Sequence, residues 1–321
     1  TYPAVVANPP YMGSKNMNAD LSNYLKAHYP KTKSDLFAVF IEMMSSKLQK
    51  SGCLGCITME SWMFLSSYEN LRHHLLDNYT IKSLSHFGWH IIGIAFGTVA
   101  FVVKNAIANE NNEGVYSHLT IDDIDEATAS PKEFPKKDNG RFAVIPQTNF
   151  SKIPGSPIAY WVSERVIEVF ERETVLNDYA EVITGMTTGN NNKYLKRWYE
   201  VSFNRINLNK ETMDEVDLQS QNWIPYNKGG DYRKWYGNNE YLVNWQLSNK
   251  FNRPKSTLTN LYLLEGVTWS FLTSSYFSSR YFTKGYLWDV AGSPIFVRND
   301  SNLYRIIGFL TTKMAQIFLN I

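Results

Sequence analysis

The first third of the chain alternates between short apolar runs and stretches in which apolar residues recur at helical spacing. The valine-rich run at 4–7 predicts a buried strand, which the two following prolines terminate. Apolar spacing across Leu36–Leu48 predicts a helix, with a capping Ser or Asp just before it and Ser51-Gly52 as its end. Residues 53–59 predict the next buried strand. The polar residues 12–33 predict a loop, of a length that often closes over a substrate.

A second helix and two further strands continue this alternation. The helix is predicted from Tyr68 to Leu76, and the strands are predicted at 81–87 and 98–103. An order of strand, helix, strand, helix and strand with short connections indicates a mainly parallel sheet with helices on its faces. We therefore predict an α/β fold for this part of the chain.

The rest of the chain changes character. Residues 109–157 carry a polar turn, an acidic cluster and scattered prolines, which predict a connector with two strands of its own, at 115–121 and 141–145. A short amphipathic helix at 161–171 follows, then strands separated by glycine turns, and last a helix at 303–319. We predict a C-terminal α+β, strand-rich domain. The predicted division of the chain is 1–108, 109–157 and 158–321.

Composition and charge add a few predictions about the number of domains and the class of protein. The 321 residues carry a formal net charge of +2, with 44% hydrophobic and 19% charged residues, as in globular proteins. This length favours two domains, and so small a net charge means that any basic surface is local. Cys53 and Cys56, the only cysteines, lie in an apolar run, so we predict that they are structural. We predict no metal site, no membrane association and a cytoplasmic location.

The candidate chemistry lies in the turn after the first strand. This turn presents the side-chain amide of Asn8, the carbonyl of Pro9 and the ring of Tyr11 at the carboxyl end of a strand. In open α/β sheets, ligands bind at that end. A proline-rich turn alone is a common way to end a strand, but the complete tetrad Asn-Pro-Pro-Tyr favours a functional site.

The tetrad resembles the catalytic motif Asn/Asp-Pro-Pro-Tyr/Phe of the adenine-N6 DNA methyltransferases. Together with Met12–Met17 and Trp223–Asn239, it makes the chain most similar to the PglX-type adenine-specific methyltransferases of BREX phage-defence systems, with the type IIG restriction-modification enzymes as near relatives. The resemblance implies the distal half of a Rossmann-like methyltransferase sheet that ends in a hairpin, followed by a target-recognition domain. It implies the catalytic residues Asn8, Pro9, Pro10 and Tyr11, and Phe96 as a further aromatic residue of the base pocket.

The implied reaction suits these residues. The exocyclic amine of adenine is a weak nucleophile because its lone pair is delocalised into the ring. The Asn8 side-chain oxygen and the Pro9 carbonyl can accept its two hydrogens and favour a more pyramidal nitrogen. Tyr11 would stack on an adenine that has been flipped out of the duplex. S-adenosyl-L-methionine is the implied cofactor, and catalysis would depend on holding the amine in line with its methyl group.

Residues 180–191 and Trp223–Asn239 resemble the recognition region of the same enzymes, and a basic stretch overlaps the second of them. Residues 180–191 combine a strand with a Thr-Gly-Asn turn whose amides could meet a phosphate, with a plain β-turn as the alternative. Lys228–Lys255 contains six basic and two acidic residues among aromatic ones, which indicates a phosphate-binding surface, with a solvated strand edge as the alternative. The predicted partner is double-stranded DNA with a flipped adenine, and partners within a defence system stay open. The residues predicted to contact DNA are Lys15, Thr188, Asn190, Lys228, Arg233, Lys234 and Arg280.

Enzymes of this kind bind the cofactor with a Gly-rich loop after an earlier strand, and only seven residues precede Asn8. We therefore expect the chain to be a fragment of a prokaryotic enzyme that lacks the main cofactor-binding loop and is inactive alone. Three alternatives stay open: a type IIG nuclease-methyltransferase or its recognition module, a methyltransferase that acts on RNA or on protein glutamine, and a binding or assembly module without catalysis.

Overall fold

The computed structural model describes residues 1–91, 93–128, 130–133, 137–138, 140–172, 174–271, 276–299, 302–319 and 321. The chain divides into two compact units, Thr1–Glu173 with Ile321 and Thr174–Asn320. No helix within these described ranges is long and apolar enough to cross a membrane.

The first unit is built on a six-stranded sheet. The strands of the whole unit, in chain order, are β1 (Tyr2–Ala7), β2 (Leu48–Met59), β3 (Thr80–Phe87), β4 (Thr98–Lys104), β5 (Glu113–Leu119), β6 (Ile124–Asp125), β7 (Ser130–Pro131) and β8 (Phe142–Pro146). The sheet has the order β1-β2-β4-β3-β5-β8, and β6 pairs with β7 separately. Strands β1, β2, β3 and β5 share one direction, whereas β4 and β8 run against it. The predicted α/β sheet with a final β3–β4 hairpin is therefore confirmed.

One face of this sheet carries the core of the unit. The helices of the unit are α1 (Ala19–His28), α2 (Leu36–Ser45), α3 (Glu69–Asn78) and α4 (Glu164–Arg172). Phe37 and Ile41 of α2 and Leu71 of α3 are fully buried in one cluster with Leu54 and Val99 of the sheet. Burying each such side chain is worth roughly 1.5–3 kcal/mol. The packed face thus stabilises the unit and leaves the strand ends available for a site.

The end of α2 differs from the prediction. The helix ends at Ser45 and β2 begins at Leu48, so Ser51-Gly52 is an irregularity inside β2 and the predicted helix end is wrong. The register between β1 and β2 shifts there, and Ser51 has a φ of 63°. A Cβ on Gly52 would lie 2.9 Å from the carbonyl oxygen of Tyr2. Glycine is therefore required by a bulge between two strands, which apolar periodicity does not reveal.

Residues 12–33 contain α1, although their polar composition predicts a loop. The side chain of Asn18 accepts a hydrogen bond from the amide of Leu21 at 2.9 Å and caps the helix. Of the residues in this helix, Leu25 is the one that is buried. A helix that buries so little leaves almost no hydrophobic periodicity, so the capped helix escaped the prediction.

Residues 109–157, predicted as a connector, contribute β5 and β8 to the first sheet. Strand β5 lies parallel to β3, with Ser83 opposite Val115 and Phe87 opposite Leu119. Helix α4 lies in the same unit, so the division into compact units follows Glu173 instead of residues 108 and 157. The pairing supplies the backbone hydrogen bonds that β3 would otherwise expose as an edge strand.

The second unit contains two four-stranded sheets. Its elements are α5 (Leu176–Tyr179), β9 (Ala180–Val182), α6 (Asn191–Tyr194), β10 (Leu195–Arg197), β11 (Trp223–Asn227), β12 (Tyr241–Asn244), β13 (Gly266–Trp269), β14 (Ser279–Phe282), β15 (Leu287–Trp288), β16 (Pro294–Val297), α7 (Leu303–Leu310) and α8 (Lys313–Leu319). The sheets have the orders β10-β12-β11-β15 and β14-β13-β16-β9. Tyr226, Phe282 and Trp288 are fully buried in its core. The predicted strand-rich α+β domain is confirmed.

The predicted helix at 303–319 is two helices, separated at Thr311 and Thr312. The hydroxyl of Thr311 donates to the carbonyl of Ile307 at 3.1 Å. The hydroxyl oxygen of Thr312 accepts from the amide of Ala315 at 3.1 Å and caps α8. Apolar spacing continues through both helices, so the hydrophobic pattern does not show the break.

Candidate active site

Strand β1 places the Asn-Pro-Pro-Tyr tetrad at the carboxyl edge of the first sheet. Ala7, the last residue of β1, lies opposite Cys56 of β2. Pro9 cannot extend this ladder because it has no amide hydrogen. Pro9 is buried, whereas Asn8 is exposed. The turn therefore holds the Asn8 amide in solvent at the end of a strand that β2 fixes in place.

The ring of Tyr11 connects the tetrad to two other aromatic residues. It is half-buried and meets Phe37 edge to face, with 6.2 Å between the ring centroids. It meets Phe96 in the same way at 5.7 Å. Its hydroxyl donates to Asn8 Oδ1 and to the carbonyl of Ile57, both at 3.4 Å. The structure thus brings Asn8, Tyr11 and Phe96 together, as a base pocket requires.

Burial keeps the phenol and the thiol beside the tetrad uncharged. It raises the pKa of the Cys56 thiol to about 12. Burial is also the main cause of the raised pKa of Tyr11, and the neighbouring Cys56 is the second. Cys53 and Cys56 are both free, and Cys56 lies in the core. Tyr11 therefore acts as a neutral hydrogen-bond donor beside Asn8.

Asp35 fixes the residue that follows the tetrad. Its Oδ1 accepts the amide of Met12 at 3.0 Å and the amide of Phe37 at 3.3 Å, so one carboxylate both caps α2 and holds the turn. Burial raises the pKa of Asp35, and these amide hydrogen bonds oppose the shift. The sequence indicates Asp35 only as a helix cap, so its contact with the turn was missed.

A second polar pair lies at the same edge of the sheet. Glu60 follows β2 and His86 is the penultimate residue of β3, and their Oε2 and Nε2 atoms lie 2.5 Å apart. His86 Nδ1 lies 3.2 Å from the hydroxyl of Tyr160. A single glutamate after one strand and a single histidine in another form no sequence motif, so this pair could not be predicted from the sequence.

The other face of the sheet carries a cavity of about 630 Å³ that extends to Asn8. Small or apolar side chains line it, among them Val6, Gly55, Ser83, Ser85 and Ala100. Val6 is 86% exposed. The Asn8 amide can therefore be approached along this face as well as from the strand end.

Four of the residues predicted to contact DNA are exposed. Lys15 lies in a single 3-10 turn just after the tetrad. Asn190 caps the short helix α6 with its side chain. Arg233 and Lys234 lie on the segment between β11 and β12, and Lys234 Nζ donates to the carbonyl of Thr311 at 3.1 Å.

Two further residues predicted to contact DNA, Thr188 and Lys228, make side-chain contacts within the second unit. Thr188 is 2% exposed and donates to Asn191 Oδ1 at 2.8 Å. Lys228 Nζ lies 3.2 Å from Oδ1 of the buried Asp289, whose Oδ2 accepts the hydroxyl of Tyr226 at 2.9 Å. These side chains stabilise turns that sequence reasoning expected to face DNA.

Arg280 of β14 is fully buried. Its Nη1 donates to Ser270 Oγ at 3.1 Å, whereas Nε and Nη2 are buried without a hydrogen-bond partner. Among the residues that the structure describes, no carboxylate forms an ion pair with it. Burial lowers its pKa to about 10, the charge of Arg233 lowers it further, and Glu240 acts in the opposite direction. The guanidinium is thus a buried charge, and no side chain among the described residues forms an ion pair with it.

Comparison with known proteins supports this description. Residues 1–91 match the family model of the Eco57I restriction-modification methylase. The chain is 38% identical to the adenine-specific methyltransferase BrxX of Escherichia coli O9:H4 (strain HS). The match covers 97% of the chain and 26% of BrxX. The chain is also 35% identical to the adenine-specific methyltransferase PglX of Lacticaseibacillus casei (strain Zhang). This match covers 100% of the chain and 28% of PglX.

Among solved structures, the chain is similar to the type IIL restriction-modification enzyme MmeI in complex with DNA. The superposed region covers 98% of the present chain and 43% of the MmeI chain. The TM-score is 0.56 at 11% identity, which shows a shared fold. The chain spans about a quarter of the length of the two curated relatives. The predicted resemblance is therefore confirmed: along its length the chain is homologous to one part of the BrxX- and PglX-type adenine-specific methyltransferases.

Proposed function

We propose that this chain forms part of a site-specific DNA adenine-N6 methyltransferase that uses S-adenosyl-L-methionine in phage defence. The observation that carries the proposal is the exposed Asn8 amide at the carboxyl end of β1, next to the Tyr11–Phe96 ring pair. The adenine-specific methyltransferases to which the chain is homologous support it.

In this proposal, Asn8 and Pro9 activate the adenine amine. The Asn8 side-chain oxygen and the Pro9 carbonyl accept its two hydrogens, which leaves the nitrogen lone pair free to attack. The Tyr11 hydroxyl, 3.4 Å from Asn8 Oδ1, orients the amide so that its oxygen stays at the strand end. A bifurcated contact of this length restrains the amide while leaving the oxygen able to accept from the base.

Tyr11 and Phe96 receive the flipped base. Base–aromatic stacking is worth roughly 1–3 kcal/mol per base, which offsets part of the cost of unstacking an adenine. The two rings meet edge to face, and Tyr11 also contacts Asn8 Oδ1 through its hydroxyl. An adenine stacked on the Tyr11 ring would bring its exocyclic amine towards Asn8.

The residues at this turn fit the proposed cofactor. Amide and carbonyl oxygens with aromatic rings suit a neutral heteroaromatic amine and an electrophilic methyl group, and the exposure of Asn8 leaves room for both. When bound, S-adenosyl-L-methionine would supply the methyl group. The part of this chain is to hold the base, accept the amine hydrogens and keep the amine in line.

The proposed DNA contacts are the exposed side chains of Lys15, Asn190, Arg233 and Lys234. Cations on such segments would neutralise phosphates, and an exposed amide would donate to them. Thr188, Lys228 and Arg280 are left out because their side chains are buried or paired. The predicted defence-system partners stay part of the proposal without residues assigned to them.

The test expresses the full-length gene product in a host that lacks DNA methylation and maps N6-methyladenine across its genome by long-read sequencing. Wild type is expected to methylate one short motif, and Asn8→Ala is expected to abolish that methylation. Asn111→Ala, which changes an exposed asparagine of the same unit outside the site, is the matched control and should leave methylation intact. Equal methylation by wild type and Asn8→Ala would contradict the assigned role, and no methylation by wild type would contradict the proposed function.

A further inference from the structure

We propose that Glu60 and His86 are positioning residues that hold Phe96 against Tyr11 in the base pocket. This inference rests on the proposed function, because it concerns the pocket that receives the adenine. It identifies two residues at the sheet edge that no sequence motif indicates.

The first step is the bond between Glu60 and His86. A carboxylate can only accept, so His86 Nε2 donates a charge-assisted hydrogen bond to Glu60 Oε2, at 2.5 Å. His86 Nδ1 then accepts from the hydroxyl of Tyr160, at 3.2 Å. Burial raises the pKa of Tyr160, and the charge of Glu60 raises it further, so this hydroxyl keeps its proton. The three side chains thus form one directed chain of hydrogen bonds.

The second step is the support behind this chain. The ring of His118 stacks on His86 at 4.4 Å with 13° between the planes, and Tyr116 stacks on Tyr160 at 5.4 Å and 15°. His86 is 8% exposed. The stacked rings hold the plane of the imidazole, and its two hydrogen bonds hold its rotation, so the core of the unit supports the position of the Glu60 carboxylate.

The third step joins Glu60 to Phe96. The amide of Glu60 donates to the carbonyl of Gly97 at 3.1 Å. A Cβ on Gly97 would lie 2.0 Å from the Glu60 carboxyl group, so the carboxylate lies directly against the Gly97 backbone. Only glycine allows this approach. Because Phe96 precedes Gly97, fixing Gly97 from two sides also fixes the backbone from which the Phe96 ring reaches Tyr11.

The cost of this pair argues for a positional role. A carboxylate and an imidazole withdrawn from water add little net stability compared with apolar side chains of the same size. The pair can instead contribute by positioning the Gly97 backbone, because a misplacement of about 1 Å at a reacting centre can lower the rate about 100-fold. The pair therefore defines the pocket instead of adding to the core.

The experiment uses the full-length protein and a duplex that carries the motif mapped by sequencing. Steady-state methylation gives kcat and KM. The fluorescence of 2-aminopurine at the target position reports base flipping without methyl transfer. Glu60→Ala is expected to lower kcat about 10- to 100-fold, with KM for DNA changed less than about threefold and a smaller fluorescence increase. Glu60→Gln keeps an acceptor for His86 and is expected to restore most of both signals.

Glu69→Ala is the matched control, because Glu69 pairs with His73 at 3.6 Å on the exposed side of the same unit. It should leave both signals unchanged. A double-mutant cycle combines Glu60→Ala with Phe96→Ala; if Glu60 acts through Phe96, the second substitution should add less than about threefold.

Independent, multiplying effects, or a Glu60→Ala variant with wild-type kcat and fluorescence, would overturn the inference. Circular dichroism verifies that each variant is folded, and His86→Gln gives a second test if Glu60→Ala is not. A wild-type protein that flips 2-aminopurine but does not methylate adenine would refute the proposed reaction while leaving the positioning role open to the fluorescence test.

Discussion

The carboxylate of Asp35 accepts the amide of Met12 at 3.0 Å, across 23 residues of sequence. The amide of Leu36 donates to the carbonyl of Met12 at 3.1 Å, so the same residue is held twice. Because Met12 follows Tyr11 directly, these bonds determine where the tetrad leaves the sheet. The turn is thus anchored at its start by the β1–β2 ladder and at its end by the N-terminus of α2.

Asp35→Ala should destabilise the first unit and distort the tetrad. Loss of the cap and of the acceptor for Met12 is expected to lower the free energy of unfolding by about 1–4 kcal/mol. Asp35→Asn keeps the acceptor oxygen and removes a charge that burial disfavours, so it should lie within about 1 kcal/mol of wild type. Urea denaturation measures both, and equal stability of the two variants would contradict the assigned contact.

Arg280→Met should maintain or raise stability and leave DNA affinity unchanged. Among the described residues, no carboxylate pairs with this buried guanidinium. Even a buried ion pair can often be replaced by apolar side chains of similar size with a neutral effect or a gain of about 1–4 kcal/mol. Thermal unfolding and a DNA-binding titration provide the two measurements. A loss of affinity at wild-type stability would instead return Arg280 to the DNA-contact residues that the sequence predicted.

Salt dependence should separate phosphate contacts from other surface cations. Each of Lys15→Ala, Arg233→Ala and Lys234→Ala is expected to weaken DNA binding and to reduce the slope of log K against log salt concentration by about 0.9. Lys82→Ala, which removes an exposed cation from the first sheet, is the matched control and should change neither quantity. An unchanged slope for all three variants would place the phosphate-binding surface elsewhere.

Acidification should destabilise the first unit through His118. Burial, followed by the charges of His86 and Arg141, lowers the pKa of His118 from 6.5 to about 4, against the weaker opposite effect of Glu60 and Asp123. A depressed folded-state pKa means that the stabilisation is present above pH 6.5 and is lost as pH falls toward 4.

The expected loss is at most about 1 kcal/mol per pH unit across this window, after allowance for solvent screening. His118→Phe keeps the stacking surface for His86 and cannot be protonated, so it should flatten the dependence. Unfolding measured at several pH values between neutrality and pH 4 compares the two proteins. An equally steep dependence in His118→Phe would assign the effect to another group.

Hydrophobic spacing and proline positions correctly predicted those helices and strands whose formation depends on residues adjacent in sequence. The apolar run of β1 and the prolines after it are adjacent in sequence, so the strand and its end could both be predicted. The Ser51-Gly52 bulge and the break at Thr311 were not, because each depends on backbone contacts that hydrophobic spacing does not report. Helix α1 was missed for a related reason, since it buries Leu25 alone.

The Asn-Pro-Pro-Tyr tetrad, the α/β and strand-rich parts and the resemblance to PglX-type methyltransferases could all be predicted from the sequence, because contiguous residues carry them. Which polar side chains meet depends on the folded arrangement of the strands. Glu60 and His86 are 26 residues apart in the chain and come within hydrogen-bond distance because β2 and β3 end at the same edge of one sheet. Arg280 has the charge of a DNA-binding residue, but the packing of the second unit buries it. Sequence reports charge, whereas only the fold determines whether that charge reaches water.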